Sequence, residues 1–311
     1  MQRKRSARST GKSNPTKKLT PAGMQNTCIS SISIIGLGLI GASVLRALKK
    51  SPVAEQQRIT FKGFDPSFSE EDIEQVKSLG LDRFEPDTTK LYDSDLIILA
   101  APVEVNISLL EEIGRHAPRH TLVSDVSSTK AAIARSAAEA GVDFIGMHPI
   151  AGREQQGYHA SHDELLAGRT VVVCADEIIL SRPDARNLVE LLQSIGCRIT
   201  VMSPEEHDRI VAAISHLPQL LSTALINFCE HDIDKSGPGF STLTRLAGSS
   251  WDIWKDIVST NRENIASELN EFSRELDKLA DDIRNNRMDR IRAGFEKANM
   301  LYGNLRNNSS P

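Results

Sequence analysis

Apolar residues run from Ile32 to Ile35, broken only by Ser33, and lead directly into the turn Gly36-Leu37-Gly38-Leu39-Ile40-Gly41. Beyond the turn Val44, Leu45 and Leu48 recur at helical spacing, so the pattern predicts strand, tight turn, helix. Further apolar runs stand at Ile59 to Phe64, Leu96 to Ala101, Leu122 to Val126, Phe144 to Met147 and Thr170 to Cys174, most of them separated by helical stretches, with a last αβ unit over Asp184 to Val201. Alternation of this kind predicts an α/β fold with a parallel sheet and helices on both faces. From Pro204 the pattern changes to helices alone. Ile210, Ile214, Leu217, Leu221, Leu225 and Phe228 form one stripe, Ile265, Leu269, Phe272, Leu276 and Leu279 a second, and Ile291, Phe295, Ala298, Met300 and Leu301 a looser third. Pro218 removes the donor that the Ile214 carbonyl would use, which predicts a kink that turns His216 toward a cavity.

A chain of 311 residues exceeds one ordinary core, which favours two domains. The expected division is a basic tail over 1–26, a sheet domain over 27–203 and a helical domain over 204–311. Stripes so rich in a short helical domain predict a homodimer through it. The tail holds Arg and Lys among Ser, Thr and Pro without an acidic residue, and reads either as a disordered extension or, with less support, as an organellar leader. A formal net charge of -4 gives no drive toward nucleic acid, and no apolar run reaches the ~18 residues that span a bilayer. Cys28, Cys174, Cys197 and Cys229 are scattered and form no metal-binding pattern, so they read as reduced thiols of a cytoplasmic protein and no metal is expected.

The glycine turn has the G-x-G-x-x-G spacing of a dinucleotide site, follows a strand and opens a helix, and Asp65 ends the next strand 24 residues beyond Gly41. The sheet therefore reads as a Rossmann-type domain. Gly36 permits the turn, Gly38 lets backbone approach a pyrophosphate, Gly41 lets helix and strand pack, and Leu39 and Ile40 start the helix whose N-terminus faces phosphate. Asp65 either accepts from ribose hydroxyls, favouring NAD over NADP, or caps the following helix. No Arg follows it, and Lys62 is the nearby cation. Ala101 and Pro102 stand at the carboxyl edge of the sheet, where the proline either borders the cofactor or merely stops the strand.

Three polar segments interrupt apolar structure: Asp125-Val126-Ser127-Ser128-Thr129-Lys130, Gly146-Met147-His148-Pro149-Ile150-Ala151-Gly152-Arg153-Glu154, and Ser215-His216-Leu217-Pro218. With the glycine turn, Arg245-Leu246-Ala247, Trp254-Lys255-Asp256-Ile257 and Asn261, they make the chain resemble the prephenate/arogenate dehydrogenase family from about Ile32 to beyond Asn261. Ser249-Ser250-Trp251 departs from a stretch that usually contains proline. The resemblance implies an NAD-dependent oxidative decarboxylation of a cyclohexadienyl substrate, driven by aromatisation. It implies His148 as the base at the C4 hydroxyl and Ser128 as the group orienting that hydroxyl and the nicotinamide. His216 would contact the substrate side chain, Arg245 a substrate carboxylate, and Glu154 would gate the site with Arg245. Lys130 either touches cofactor or substrate or is a solvated first-turn lysine. Prephenate is favoured over arogenate, for whose ammonium Asp208 is the available partner. A non-catalytic NAD-sensing dimer is the alternative from another class. The β-hydroxyacid dehydrogenases share the domain plan, but their lysine motif has no match here. Feedback by tyrosine would have to act at the active site.

Overall fold

The computed structural model describes residues 28–151 and 155–308, so the tail and Glu154 lie outside the described residues. Eight strands form one sheet: β1 (Ser31–Ile35), β2 (Thr60–Phe64), β3 (Arg83–Phe84), β4 (Leu96–Leu99), β5 (Leu122–Asp125), β6 (Phe144–Pro149), β7 (Thr170–Cys174) and β8 (Arg198–Val201). Their order is β3-β2-β1-β4-β5-β6-β7-β8. The chain leaves β1 in one direction to β2 and returns past it to β4, which opens a crevice outside the carboxyl ends of those strands, the usual ligand site in such sheets.

Burial on both faces explains why the strands are apolar rather than alternating. Ile32 and Ile34 of β1 and Leu96 and Ile98 of β4 join Val44, Leu45 and Leu48 on one side. Ile35, Ile97 and Leu99 join Leu110, Ile113 and Ile133 on the other. Each such fully buried side chain contributes roughly 1.5–3 kcal/mol. Ser33, buried inside this run, pairs its hydroxyl with that of Ser94 at 2.9 Å.

The expectation of a parallel sheet needs one correction: β7 runs antiparallel to β6, His148 facing Val172 across the pair. Between them the described chain contains only a 3-10 turn at Tyr158–Ala160, too little for the crossover helix that a parallel return requires. The helix Pro183–Ser194 then carries the chain from β7 to a parallel β8. Strand β3 is two residues long, which is why no apolar run announces it.

After β8 the described chain is helical. Ser203 caps the first helix by accepting from the Glu206 N–H, with Pro204 at the first helical position. Helix continues from Pro204 to Phe228, and the expected proline kink takes a specific form: Ala212–His216 is a π-turn in which the Leu217 N–H reaches back five residues to Ala212 O. The widened turn accommodates Pro218 without breaking the helix, and such bulges concentrate at functional sites. By length and mean hydropathy this helix also passes for a membrane span, contrary to the reading of the bare sequence. Its opening turns, however, carry Glu205, Glu206, His207, Asp208 and Arg209, with His207 and Asp208 buried against the sheet domain.

Along the same helix His216, Gln219 and Ser222 are buried beside Val211 and Ala212, whereas Ile214 and Phe228 are 71% and 89% exposed. The helices Trp251–Thr260, Arg262–Arg284 and Met288–Asn308 follow. On them Trp251, Leu276, Ile283, Phe295, Leu301 and Leu305 are likewise exposed.

Candidate active site

The glycine turn divides its labour as its spacing suggests. Gly36 has φ +92°, a left-handed conformation that favours glycine, and a Cβ there would stand 2.6 Å from Ala100 backbone. At Gly41 a Cβ would meet Gly36 O at 2.0 Å. Gly38 is different, since a Cβ there would meet no atom of the chain within 4 Å. Its open side faces a cavity of about 570 Å³ together with Leu39 and Ile40. Ala101 and Pro102 line the same cavity, as does Ser128, and the helical half closes it with Ser250, Trp254 and Asp256. Pro102 both ends its strand segment and borders the cavity, as residue preceding the helix Val103–His116.

Gly38→Ala is accordingly expected to leave the melting temperature unchanged, since its φ of -68° suits alanine. The added methyl should nonetheless weaken NAD at least about tenfold by filling the approach to the pyrophosphate. Thermal unfolding and cofactor titration of the same sample check the two halves of that expectation.

Asp65 ends β2 and braces the turn. Its Oδ2 accepts from the Leu37 N–H at 2.9 Å, and its Oδ1 accepts from the N–H and hydroxyl of Ser67 at 3.0 and 2.6 Å. The following helix is capped by Ser69 in a capping box with Asp72, so the capping alternative for Asp65 falls away. A carboxylate has roughly four acceptor positions, which leaves capacity for ribose hydroxyls. Lys62 is turned elsewhere, its ammonium donating to Asp93 O at 2.7 Å.

A second group of residues meets at the carboxyl end of β5 and β6. His148 is half-buried on β6, and its Nδ1 lies 2.8 Å from Nε2 of His207. Nδ1 of His207 lies 2.8 Å from Asp208 Oδ1. Asp208 in turn accepts the N–H groups of Lys130 and Ala131 at 2.7 and 2.9 Å, capping from a distance the helix Ala131–Glu139. Ser128 is therefore not the cap of that helix and remains on the cavity wall. Asp208, only 1% exposed, is poorly placed for a substrate ammonium.

Lys130 is fully buried, contrary to the reading of a solvated lysine. Its ammonium meets Asp125 Oδ2 at 2.5 Å, and its stem passes so close to β6 that a Cβ on Gly146 would stand 2.8 Å from its Cδ. His216 is 1% exposed, packs edge-on against Trp254 and takes Asn261 Nδ2 at 3.3 Å on its Nδ1. Asn261 is held in that orientation because its Oδ1 accepts from Asn264 while its Nδ2 also donates to Asp208 O. His216 thus carries its proton on Nε2 and offers a donor.

Both rings are kept neutral. Burial first, then the Lys130 ammonium with His207 and His216, holds His148 well below the ordinary histidine value. Burial pushes His216 down to about 4, His207 adding to the fall and Asp208 opposing it. Arg245 stands exposed on the turn Arg245–Gly248, whose Gly248 reaches the cavity wall, although Arg245 itself is not part of that wall.

Two residues that periodicity does not single out belong to the site. His207 lies inside an ordinary-looking helical start. Asp256 caps the helix Val103–His116 by accepting the Glu104 N–H at 3.3 Å, and its other oxygen, buried at the cavity, has no hydrogen-bond partner among the described residues. The open approach at Gly38, the braced Asp65 and this orphaned acceptor fit a dinucleotide, and Ser128 lines the same cavity.

The chain matches the model of the prephenate dehydrogenase nucleotide-binding domain over residues 47–201 and that of the prephenate dehydrogenase dimerization domain over residues 203–297. It is 29% identical to prephenate dehydrogenase of Bacillus subtilis, over 82% of this chain and 70% of that protein. To cyclohexadienyl dehydrogenase of Zymomonas mobilis it is 28% identical, over 81% and 88%. Among solved structures, prephenate dehydrogenase from A. aeolicus in complex with hydroxyphenyl propionate and NAD+ superposes with a TM-score of 0.80 at 25% identity, covering 89% of this chain and 98% of the other. Synechocystis arogenate dehydrogenase gives 0.76 at 26%, covering 88% and 99%.

Proposed function

The chain belongs to the prephenate dehydrogenase family of NAD-dependent oxidoreductases, and from that membership we propose that it converts prephenate to 4-hydroxyphenylpyruvate with loss of carbon dioxide. The observation that carries the reading is His148, a neutral, half-buried imidazole at the end of β6 among the groups that converge there. NAD, when bound, supplies the hydride acceptor. His148 takes the proton of the C4 hydroxyl, and Ser128 orients that hydroxyl. His216 donates its Nε2–H to the substrate side chain. Arg245 pairs with a substrate carboxylate, and Glu154 gates the site with it. The ring carboxylate leaves as carbon dioxide and the ring becomes aromatic.

Prephenate is preferred to arogenate because Asp208, the acid about two turns before His216 on the same helix, is sealed at 1% exposure behind two backbone donors and a histidine, where a substrate ammonium has no approach. NAD is preferred to NADP because Asp65 would repel a 2′-phosphate and Lys62 is committed to a backbone carbonyl. The exposed apolar residues of the helical half support a homodimer formed through residues 204–311, with 27–203 as the dinucleotide-binding unit. Four unpaired cysteines agree with a cytoplasmic setting.

Absorbance of NADH with prephenate and with arogenate tests the reading. Reduction with prephenate at the higher kcat/KM supports it; NAD binding with no reduction of either would make the chain a non-catalytic cofactor-binding dimer. Arg245→Ala is expected to raise the KM for prephenate about 10- to 100-fold while NAD affinity stays level, because one charge-assisted contact to a carboxylate is lost. Equal losses for both ligands would contradict the role given to Arg245.

A further inference from the structure

Hydrogen-bond direction can be followed inward from Asp208 to the base. The Asp208 carboxylate has only acceptors to offer, and it already receives the N–H groups of Lys130 and Ala131. Its contact with His207 at 2.8 Å therefore requires the proton on His207 Nδ1. A neutral imidazole protonated there is bare at Nε2 and can only accept. Nδ1 of His148, 2.8 Å away, must then be the donor. We propose that His207 and Asp208 are positioning residues that hold His148 as its Nδ1–H tautomer and so leave the Nε2 lone pair to receive the substrate proton.

An imidazole free in water prefers the opposite tautomer, with the proton on Nε2, which would present a donor to the substrate hydroxyl and spoil the base. A second ring that accepts, itself fixed by a carboxylate, reverses the preference. The arrangement is rigid: His207 is fully buried, and Asp208 is anchored to the first N–H groups of the helix Ala131–Glu139, where a negative charge is favoured. Burial and the Lys130 ammonium keep His148 neutral, so that its tautomer, rather than its charge, decides whether it works. Two neighbouring histidines are thereby given opposite faces, with an acceptor at His148 and a donor at His216, whose Nδ1 is taken by Asn261.

The inference rests on His148 as the proton acceptor, and its test separates the two. Long-range 15N–1H correlation spectra of the full chain labelled at histidine nitrogen, assigned with a His148→Gln sample, read the tautomer without turnover. His148 is expected to show a protonated Nδ1 and a bare Nε2 at neutral pH. In His207→Phe, which fills the space but accepts nothing, that signature should be lost and kcat should fall about 10- to 1,000-fold, as for a base left in the wrong tautomer, with NAD affinity unchanged. His207→Gln, whose side-chain oxygen accepts at the same place, should restore the signature and most of the rate. A wild-type His148 bare at Nδ1, a doubly protonated His207, or a His207→Phe protein with unaltered tautomer and kcat would each overturn the proposal. Should His207→Phe fail to fold, the wild-type and His207→Gln spectra decide alone. Turnover that survives in His148→Ala refutes the role of His148 itself, whichever tautomer is found.

Discussion

Replacing His148 with alanine is expected to lower kcat about 100- to 10,000-fold, the range contributed by a positioned general base. NAD affinity should stay within about twofold, since the role proposed for His148 is at the reacting hydroxyl and the ring is not part of the cavity wall to which Gly38, Leu39 and Ile40 contribute. The ring is suited to the task because burial first, then Lys130, His207 and His216, keep it neutral. A base protonated only well below the ordinary histidine value of 6.5 keeps its lone pair as the medium is acidified, so the acid limb of kcat/KM should lie below that value. Steady-state rates and a cofactor titration on the variant check the first expectation. Turnover within about tenfold of wild type would remove His148 from the chemistry.

Lys130→Met is expected to cost about 3–5 kcal/mol of folding stability, the effect of removing one partner from a buried ion pair. Both side chains are completely buried. Without the ammonium, Asp125 keeps only the N–H of Ser127 at 3.0 Å and that of Met147 at 3.3 Å, too little to offset a desolvated carboxylate. Adding Asp125→Asn should recover much of the loss, because the stranded charge is then gone. Urea unfolding of the single and double variants provides the measurement. A single-variant loss under about 1 kcal/mol would mean that the pair carries no such burden. Methionine approximates the lysine stem, so the gap beside Gly146 stays filled and the effect reports charge rather than packing.

These two residues differ in how openly the chain announces them. His148 stands in a polar break after an apolar strand, and that contrast alone marks it for attention. Lys130 reads equally well as a solvated lysine in a first turn, and only the closeness of β6, with glycine at 146, reveals that it is sealed inside. Pro218 is similar: its missing N–H predicts a disturbed helix, but the form of the disturbance, a π-turn over Ala212–His216, depends on what His216 and Gln219 pack against. The antiparallel turn of β7 escapes the apolar pattern too, since a five-residue run is equally apolar in either direction.

What the sequence determined by itself is what depends on near neighbours. The glycine turn, the strand and helix periods and the shift to helices at Pro204 are set by backbone freedom and by which positions recur on one face, and both are written within a few residues. The tertiary structure decided what depends on partners far apart in the chain. His148 meets His207 across 59 residues, and Asp208 receives the Lys130 N–H across 78. Which residues of the helix Pro204–Phe228 turn inward is also a matter of packing: His216, Gln219 and Ser222 are buried, whereas Ile214 and Phe228 of its apolar stripe are left outside. Hydrogen bonds and ion pairs require positions fixed to a few tenths of an ångström, and only the packed sheet and helices bring such distant residues to that accuracy.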